Sequence, residues 1–252
     1  MQKADRQATV VFLGPSEPPS RAAVEAALGD IGATLQWHEE HELESTLALS
    51  LFIENIHVGV SIIAAPLPPA LYEKHLAASG LDAADQMRIA AHGSHARIVS
   101  MKTETPAEPA DRMWMVYRVA VRLCGLGGVA VLAPASGVFA LGVDTAYVDA
   151  RRDDNVPPMD LWVQAEMGTD GIARSRGAFV SGVPDVELSG LDGMEPGAIY
   201  STMMDMLVFL RQIRRELVTG ESLHVGAQGW DWKVTTGDKE LVKFVRVSPG
   251  SE

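Results

Sequence analysis

The sequence predicts an α+β protein: helices packed on antiparallel sheet, arranged as two fused ferredoxin-like halves of strand–helix–strand–strand–helix–strand type. Three observations predict it. Val58, Val60 and Ile62 alternate with Gly59, Ser61 and Ile63, so both faces are apolar or small, as in a central strand. Ile199, Met203, Met206, Leu207, Leu210, Ile213 and Leu217 follow helical spacing. Strand and helix patterns alternate along the first half, and the second half repeats them loosely, with no short-period repeat.

The elements follow in order. Val10 to Leu13 is a short apolar strand ended by Gly14-Pro15. Ser20 caps a helix to about Asp30, with Val24, Ala27, Leu28 and Ile31 on one face, and Gly32 stops it. Thr34 to His38 is a strand, and Glu39 to Glu44 an acidic loop. Leu47 to Phe52 and His57 to Ala64 form a hairpin around Glu54-Asn55. Pro66, Pro68 and Pro69 open a helix from about Ala70, Asp82 caps another, and Ala96 to Met101 is a strand. The proline-containing loop from Thr103 to Pro109 divides the halves, 1–104 and 110–252. Asp111 caps a helix to Cys124 that is apolar over most of its circumference. Val129 to Leu132 and Val138 to Leu141 are short strands, and Arg151 to Pro158 is a second, polar place where the chain could be divided. Leu161 to Met167 and Ala178 to Leu188 read as extended, and two more extended runs close the chain from His224.

Charge excludes some functions. With 21 Lys and Arg against 33 Asp and Glu the formal charge is −12. The excess is spread along the chain, and its longest basic cluster is Arg211, Arg214 and Arg215. Such a body repels phosphate backbones, so no nucleic-acid partner is expected; the same charge favours a basic protein partner or simply keeps the protein soluble. Cys124 is the only cysteine, which fits a reducing compartment, and the expected address is the cytoplasm. Leu123 to Val143 carries no charge and is long enough to cross a bilayer. Its glycines, with Pro134, fit strand–turn–strand instead, so no membrane partner is expected.

The chemistry-bearing patterns are sparse. Gly125-Leu126-Gly127-Gly128-Val129-Ala130 matches a dinucleotide fingerprint, but its glycines follow a helix and open a strand, the reverse of what a phosphate site needs. It reads as a helix cap and tight turn, and no cofactor is expected. Two H-x-x-H pairs, His38 with His41 and His92 with His95, have the residue types of a metal site without the H-E-x-x-H spacing. Solvated or capping histidines are the simpler reading. Asp185 and Glu187 share one face of a strand, as Trp230 and Trp232 do. Cys124 reads as a core residue.

One stretch carries a resemblance. Pro158, Leu161-Trp162-Val163, Gly177-Ala178, Gly182 and Asp185-Val186-Glu187-Leu188 precede a helix over Tyr200 to Leu217 and a strand from His224. Upstream lie Ser61 to Pro69 and the histidine-led run His95 to Ser100. In this the chain resembles the bacterial family called "domain of unknown function 4261", strongly only over its last hundred or so residues. Arg176 stands where that pattern has threonine, and Ser181 where it has an aromatic. The resemblance implies an α+β cytoplasmic module with no agreed activity. It marks Trp162, Gly177, Gly182 and Glu187 as candidate binding residues, and Arg176 and Asp185 beside them are taken as further candidates. The expectation from sequence is a non-enzymatic protein-interaction module, in one version an inhibitor or immunity protein for a basic partner. Self-association is compatible with it. The alternative is a small-molecule-binding protein or a hydrolase using Asp185 and Glu187, or a histidine metal site.

Overall fold

The computed structural model describes residues 8–14, 17–38, 46–101, 103–104, 107–141, 159–213, 215–225 and 230–247. The chain divides into two units, Met1–Val156 and Pro157–Glu252. Both are α+β, with helices packed on antiparallel-rich sheets.

The first unit runs β1 (Ala8–Leu13), α1 (Arg21–Leu28), β2 (Thr34–Trp37), β3 (Thr46–Ile53), β4 (Ile56–Ile63), α2 (Glu73–Ala78), α3 (Ala83–Ala90), β5 (Ser94–Met101), α4 (Pro109–Cys124), β6 (Gly128–Ala133) and β7 (Val138–Ala140). Its sheet has the order β2-β3-β4-β5-β1-β6-β7, and every neighbouring pair is antiparallel. The hairpin expected around Glu54-Asn55 is present, and Glu54 makes the turn at a φ of 49°. Ser20 accepts the Ala23 N–H and Asp82 the Asp85 N–H, so both expected caps form. Asp111 does not cap α4: the helix opens earlier, at Pro109, whose missing N–H costs nothing in a first turn.

The two faces of this sheet differ. Val11, Leu49, Leu51, Val58, Val60, Ile62, Ala96 and Ile98 alternate onto one face and are all buried. That face carries α4, buried nearly all round as its sequence requires, with α1 beside it. On the other face, Leu67, Tyr72, Leu76 and Ile89 from the α2–α3 region pack on Phe12, Ala130 and Leu132. This cover lies over β1 and β6. Over β3 and β5, outward-facing Phe52, Val99 and Met101 stay 38%, 36% and 43% exposed.

The second unit runs β8 (Gln164–Met167), β9 (Ala173–Arg176), β10 (Asp185–Ser189), α5 (Pro196–Ile213), β11 (Ser222–Val225), β12 (Trp230–Gly237) and β13 (Leu241–Arg246). The sheet order is β11-β12-β13-β10-β9-β8, with β10 parallel to β13. Parallel neighbours need a crossover, and α5 lies within that connection. It buries Ile199, Met203, Met206, Leu207 and Leu210, and the sheet supplies Val186, Leu188, Trp232, Val234, Val242 and Phe244 to the core.

Several expectations are corrected. The division expected between 104 and 110 falls inside the first unit, because β6 pairs with β1 and carries α4 and β7 with it. With those elements moved, neither unit has the element order of a ferredoxin-like half, and the second reads three strands, a helix, three strands. The segments read as extended at 161–167 and 178–188 hold 3-10 turns, Met159–Leu161 and Ala178–Ser181. The loop expected over Arg151 to Pro158, with Pro158 of the family-like pattern, lies outside the described residues, as do Glu39 to Glu44 and His41. The glycine run after α4 is the turn expected: Gly127 sits at φ +97°, and a Cβ on Gly128 would lie 2.6 Å from the Cys124 Cα. Among the described residues no helix is long and apolar enough to cross a membrane.

Candidate functional site

The family-like segment of the second unit is built as a hydrogen-bonded turn. Gly177 and Gly182 bracket the 3-10 turn Ala178–Ser181 at φ +99° and +78°, a backbone region that disfavours side chains. Asp185 closes the turn from below: its Oδ1 accepts the Ala178 N–H at 3.0 Å and the Ser175 hydroxyl at 3.1 Å. Ser175 Oγ in turn accepts the Val186 N–H at 2.7 Å, linking β9 to β10. Burial pushes the Asp185 carboxyl upward, and these hydrogen bonds with the nearby Arg176 charge oppose it. Trp162 is fully buried, and Arg176 reaches outward to Glu166 at 3.0 Å.

Glu187 sits in a ladder of charge on the opposite strand face from Val186 and Leu188. Its carboxylate meets Arg174 on β9 at 3.3 Å and Lys243 on β13 at 3.0 Å. Arg174 also grips Asp170 through two nitrogens, at 3.1 and 2.6 Å, and holds that carboxyl down at about 2. Asp185 and Glu187, both on β10, are therefore held by separate sets of partners. Trp230 and Trp232 do share a face: Trp232 is in the core, and Trp230 lies under the Arg246 guanidinium at 4.7 Å.

The histidines separate by role. His92 is buried after α3, where its Nδ1–H donates to the Ile89 carbonyl at 2.6 Å and its Nε2 accepts the Leu67 N–H at 2.7 Å. Both ring nitrogens are spent on backbone, so the ring is a strut and offers no lone pair to a metal. Phe12 and Tyr72 pack edge-on against it. His95 is buried on β5 and donates Nδ1–H to the Ala65 carbonyl at 2.8 Å. Burial lowers the pKa of both rings, which favours their neutral form.

His38 meets partners on the sheet, whereas His41, which its sequence spacing pairs with it, lies outside the described residues. Phe52 stands opposite His57 across the β3–β4 ladder, and the His38 N–H bonds the Ala48 carbonyl just past β2. These registers put His38, Ser50, Phe52 and His57 on one face. Ser50 Oγ lies 2.8 Å from His38 Nε2 and 3.0 Å from His57 Nε2. One hydroxyl has one proton, so Ser50 donates to at most one ring, and at least one ring presents N–H to it. The Phe52 ring stacks on His57 at 4.4 Å and 21°. Burial, and then the neighbouring His38, lower the His57 pKa.

This cluster borders the half of the first sheet that no described helix covers. Phe52, Val99 and Met101 form an apolar strip there, with Gly59 beneath it: a Cβ at Gly59 would touch the Met101 sulfur at 3.6 Å. The Thr103 hydroxyl donates to the Asn55 carbonyl at 3.1 Å, which brings exposed Glu104 beside the turn that holds exposed Glu54. Neither glutamate has an ion-pair partner among the described residues. Arg97 is exposed at the other end of the strip, opposite Ser61. Sequence reasoning missed this site because its residues come from four segments and meet only through strand register. The one signal available was the apolar character of Phe52, Val99 and Met101 at positions that alternate outward.

No family model, curated protein or solved structure matches the chain.

Proposed function

We propose that the chain is a non-enzymatic protein-interaction module that receives a basic partner on the uncovered half of its first sheet. One observation carries the reading: Phe52 on β3 and Val99 and Met101 on β5 stand exposed on strand positions that face outward, with His57 and Gly59 of β4 between them. A solvated antiparallel face ordinarily alternates to polar residues, and a contiguous apolar patch rimmed by polar ones marks a binding surface. Glu54 and Glu104 at one end of the strip, within a chain of formal charge −12, favour a partner with basic residues around an apolar anchor. An inhibitor or immunity protein that covers a basic surface is one such module.

The contacts of Asp185 and Glu187 favour binding over hydrolysis by those acids. Asp185 is held by a backbone N–H and a serine, and Glu187 by two cations. Ser50 with its two imidazoles has the residue types of a nucleophile and base. It lies mid-strand between Gln36 and Gly59, where the backbone N–H groups serve the ladder and leave no oxyanion donors.

The test is affinity capture from the host lysate at low and high salt, read by mass spectrometry. The reading expects a basic protein held at low salt, weakened at high salt and lost in Met101→Asp. A partner retained by Met101→Asp would overturn the placement, and capture indifferent to salt would overturn the basic partner.

A further inference from the structure

We infer that His38, His57 and Ser50 form a binding site for a divalent transition-metal ion, of the class that prefers imidazole nitrogen, such as Zn²⁺ or Ni²⁺. The inference stands apart from partner binding and rests on side-chain convergence. Two Nε2 atoms from different strand segments aim at one hydroxyl oxygen, 2.8 and 3.0 Å away. A metal site needs that arrangement of lone pairs: nitrogen donors from separate segments directed at one point, with an oxygen beside it.

The cluster is already partly organised. Stacking on Phe52 fixes the plane of the His57 ring. The backbone bond from His38 N–H to the Ala48 carbonyl anchors the other ligand at the end of β2, while its exposed ring keeps freedom to pivot. Metal–nitrogen bonds are about 2.0–2.1 Å, shorter than either contact to Ser50, so an entering ion draws both rings inward by rotation about their side-chain bonds. Neutral imidazole is the ligand form. A ring that donates N–H to Ser50 moves its proton to Nδ1, and no proton need leave the protein. Ser50 Oγ then either coordinates or accepts a hydrogen bond from a metal-bound water, the outer contact that orients such sites.

Two imidazoles and a hydroxyl leave coordination positions to water. Among the described residues no three His, Cys, Asp or Glu side chains converge, so affinity is modest and selective. Mg²⁺ and Ca²⁺, which take oxygen ligands, are refused. Two other histidines among the described residues lack this geometry. His92 has spent both nitrogens on backbone, and exposed His224 bonds Asp231, at 2.9 Å.

The experiment is calorimetric titration of the full, tag-free chain with ZnCl₂ near neutral pH. It is repeated on His38→Ala, His57→Gln and, as the control, His224→Ala, with circular dichroism reporting the fold of each. The inference expects one equivalent of Zn²⁺ and no response to Mg²⁺. It expects affinity lowered about tenfold or more in His38→Ala and in His57→Gln, and unchanged affinity in His224→Ala. His38 lies at the end of a strand and its ring is exposed, so its variant keeps the inference falsifiable if His57→Gln is unfolded. No stoichiometric Zn²⁺, or equal affinity in a folded His38→Ala or His57→Gln, would overturn it. So would loss in His224→Ala.

Discussion

Replacing His92 by alanine tests the claim that this histidine is a strut. The substitution strands the Leu67 N–H, because Nε2 is its acceptor and Leu67 is 3% exposed. An orphaned buried donor costs about 1–3 kcal/mol. The Ile89 carbonyl keeps partners, since the backbone N–H groups of Ala91 and His92 also point to it. The lost ring opens a void between Phe12, 4.8 Å away, and Tyr72, 5.5 Å away. Emptying a packed core site of this kind costs about 2 kcal/mol or more. The sum is about 3–5 kcal/mol, a large share of the roughly 5–15 kcal/mol that holds a domain folded. With two units a single melting curve is ambiguous, so the assay is amide hydrogen exchange by mass spectrometry. Peptides spanning Leu67 to Leu76 and Ile89 to Met101 report the loss, and peptides from the second unit serve as internal control. Exchange that reports less than about 1 kcal/mol in those peptides, or equal loss in both units, would refute the argument.

Four further outcomes follow from the same contacts. Burial lowers the pKa of His92 and His95 in the fold, so the unfolded chain binds more protons below about pH 6.5. Stability from these rings is therefore full above that pH and lost as it falls, and amide protection factors in the first unit, corrected for the intrinsic exchange rate at each pH, should fall as the pH drops below about 6.5. Asp185 has the opposite sign, because burial raises its pKa and the folded state holds the proton more tightly. Asp185→Asn should thus leave the second unit unchanged or stabilised at pH 7, whereas Asp185→Ala strands the Ala178 N–H and costs about 1–3 kcal/mol by denaturant titration. Gly177→Ala, at φ +99°, should cost about 1–2 kcal/mol in the same titration. Glu187→Gln should cost about 1 kcal/mol or less and leave partner capture unaltered, since the ladder with Arg174 and Lys243 lies in the second unit.

What could be read from the sequence was local. The apolar spacing of α5, the all-round apolar surface of α4, the β3–β4 hairpin and the caps Ser20 and Asp82 all follow from neighbours a few residues apart. The 3-10 turns at Met159–Leu161 and Ala178–Ser181 escaped because a short apolar run looks alike in a turn and in a buried strand. The division into units escaped because the pairing of β6 with β1 joins residues more than a hundred positions apart, and nothing in either strand names its partner. The candidate site failed in the same way. A search for histidines at fixed spacing could not bring His38 to Ser50 and His57, which meet it only through strand register. Asp185 and Glu187 were placed correctly on one strand face, yet their partners Ser175, Arg174 and Lys243 come from β9 and β13.

Partner capture on the uncovered sheet face decides whether that surface is used. The tagged full chain and its Phe52→Asp and Met101→Asp variants, each shown folded by circular dichroism, are presented to the host lysate at low and high salt. The account predicts a basic protein recovered by the parent chain at low salt, depleted at high salt and absent from both variants. Recovery of the same protein by both folded variants would contradict it.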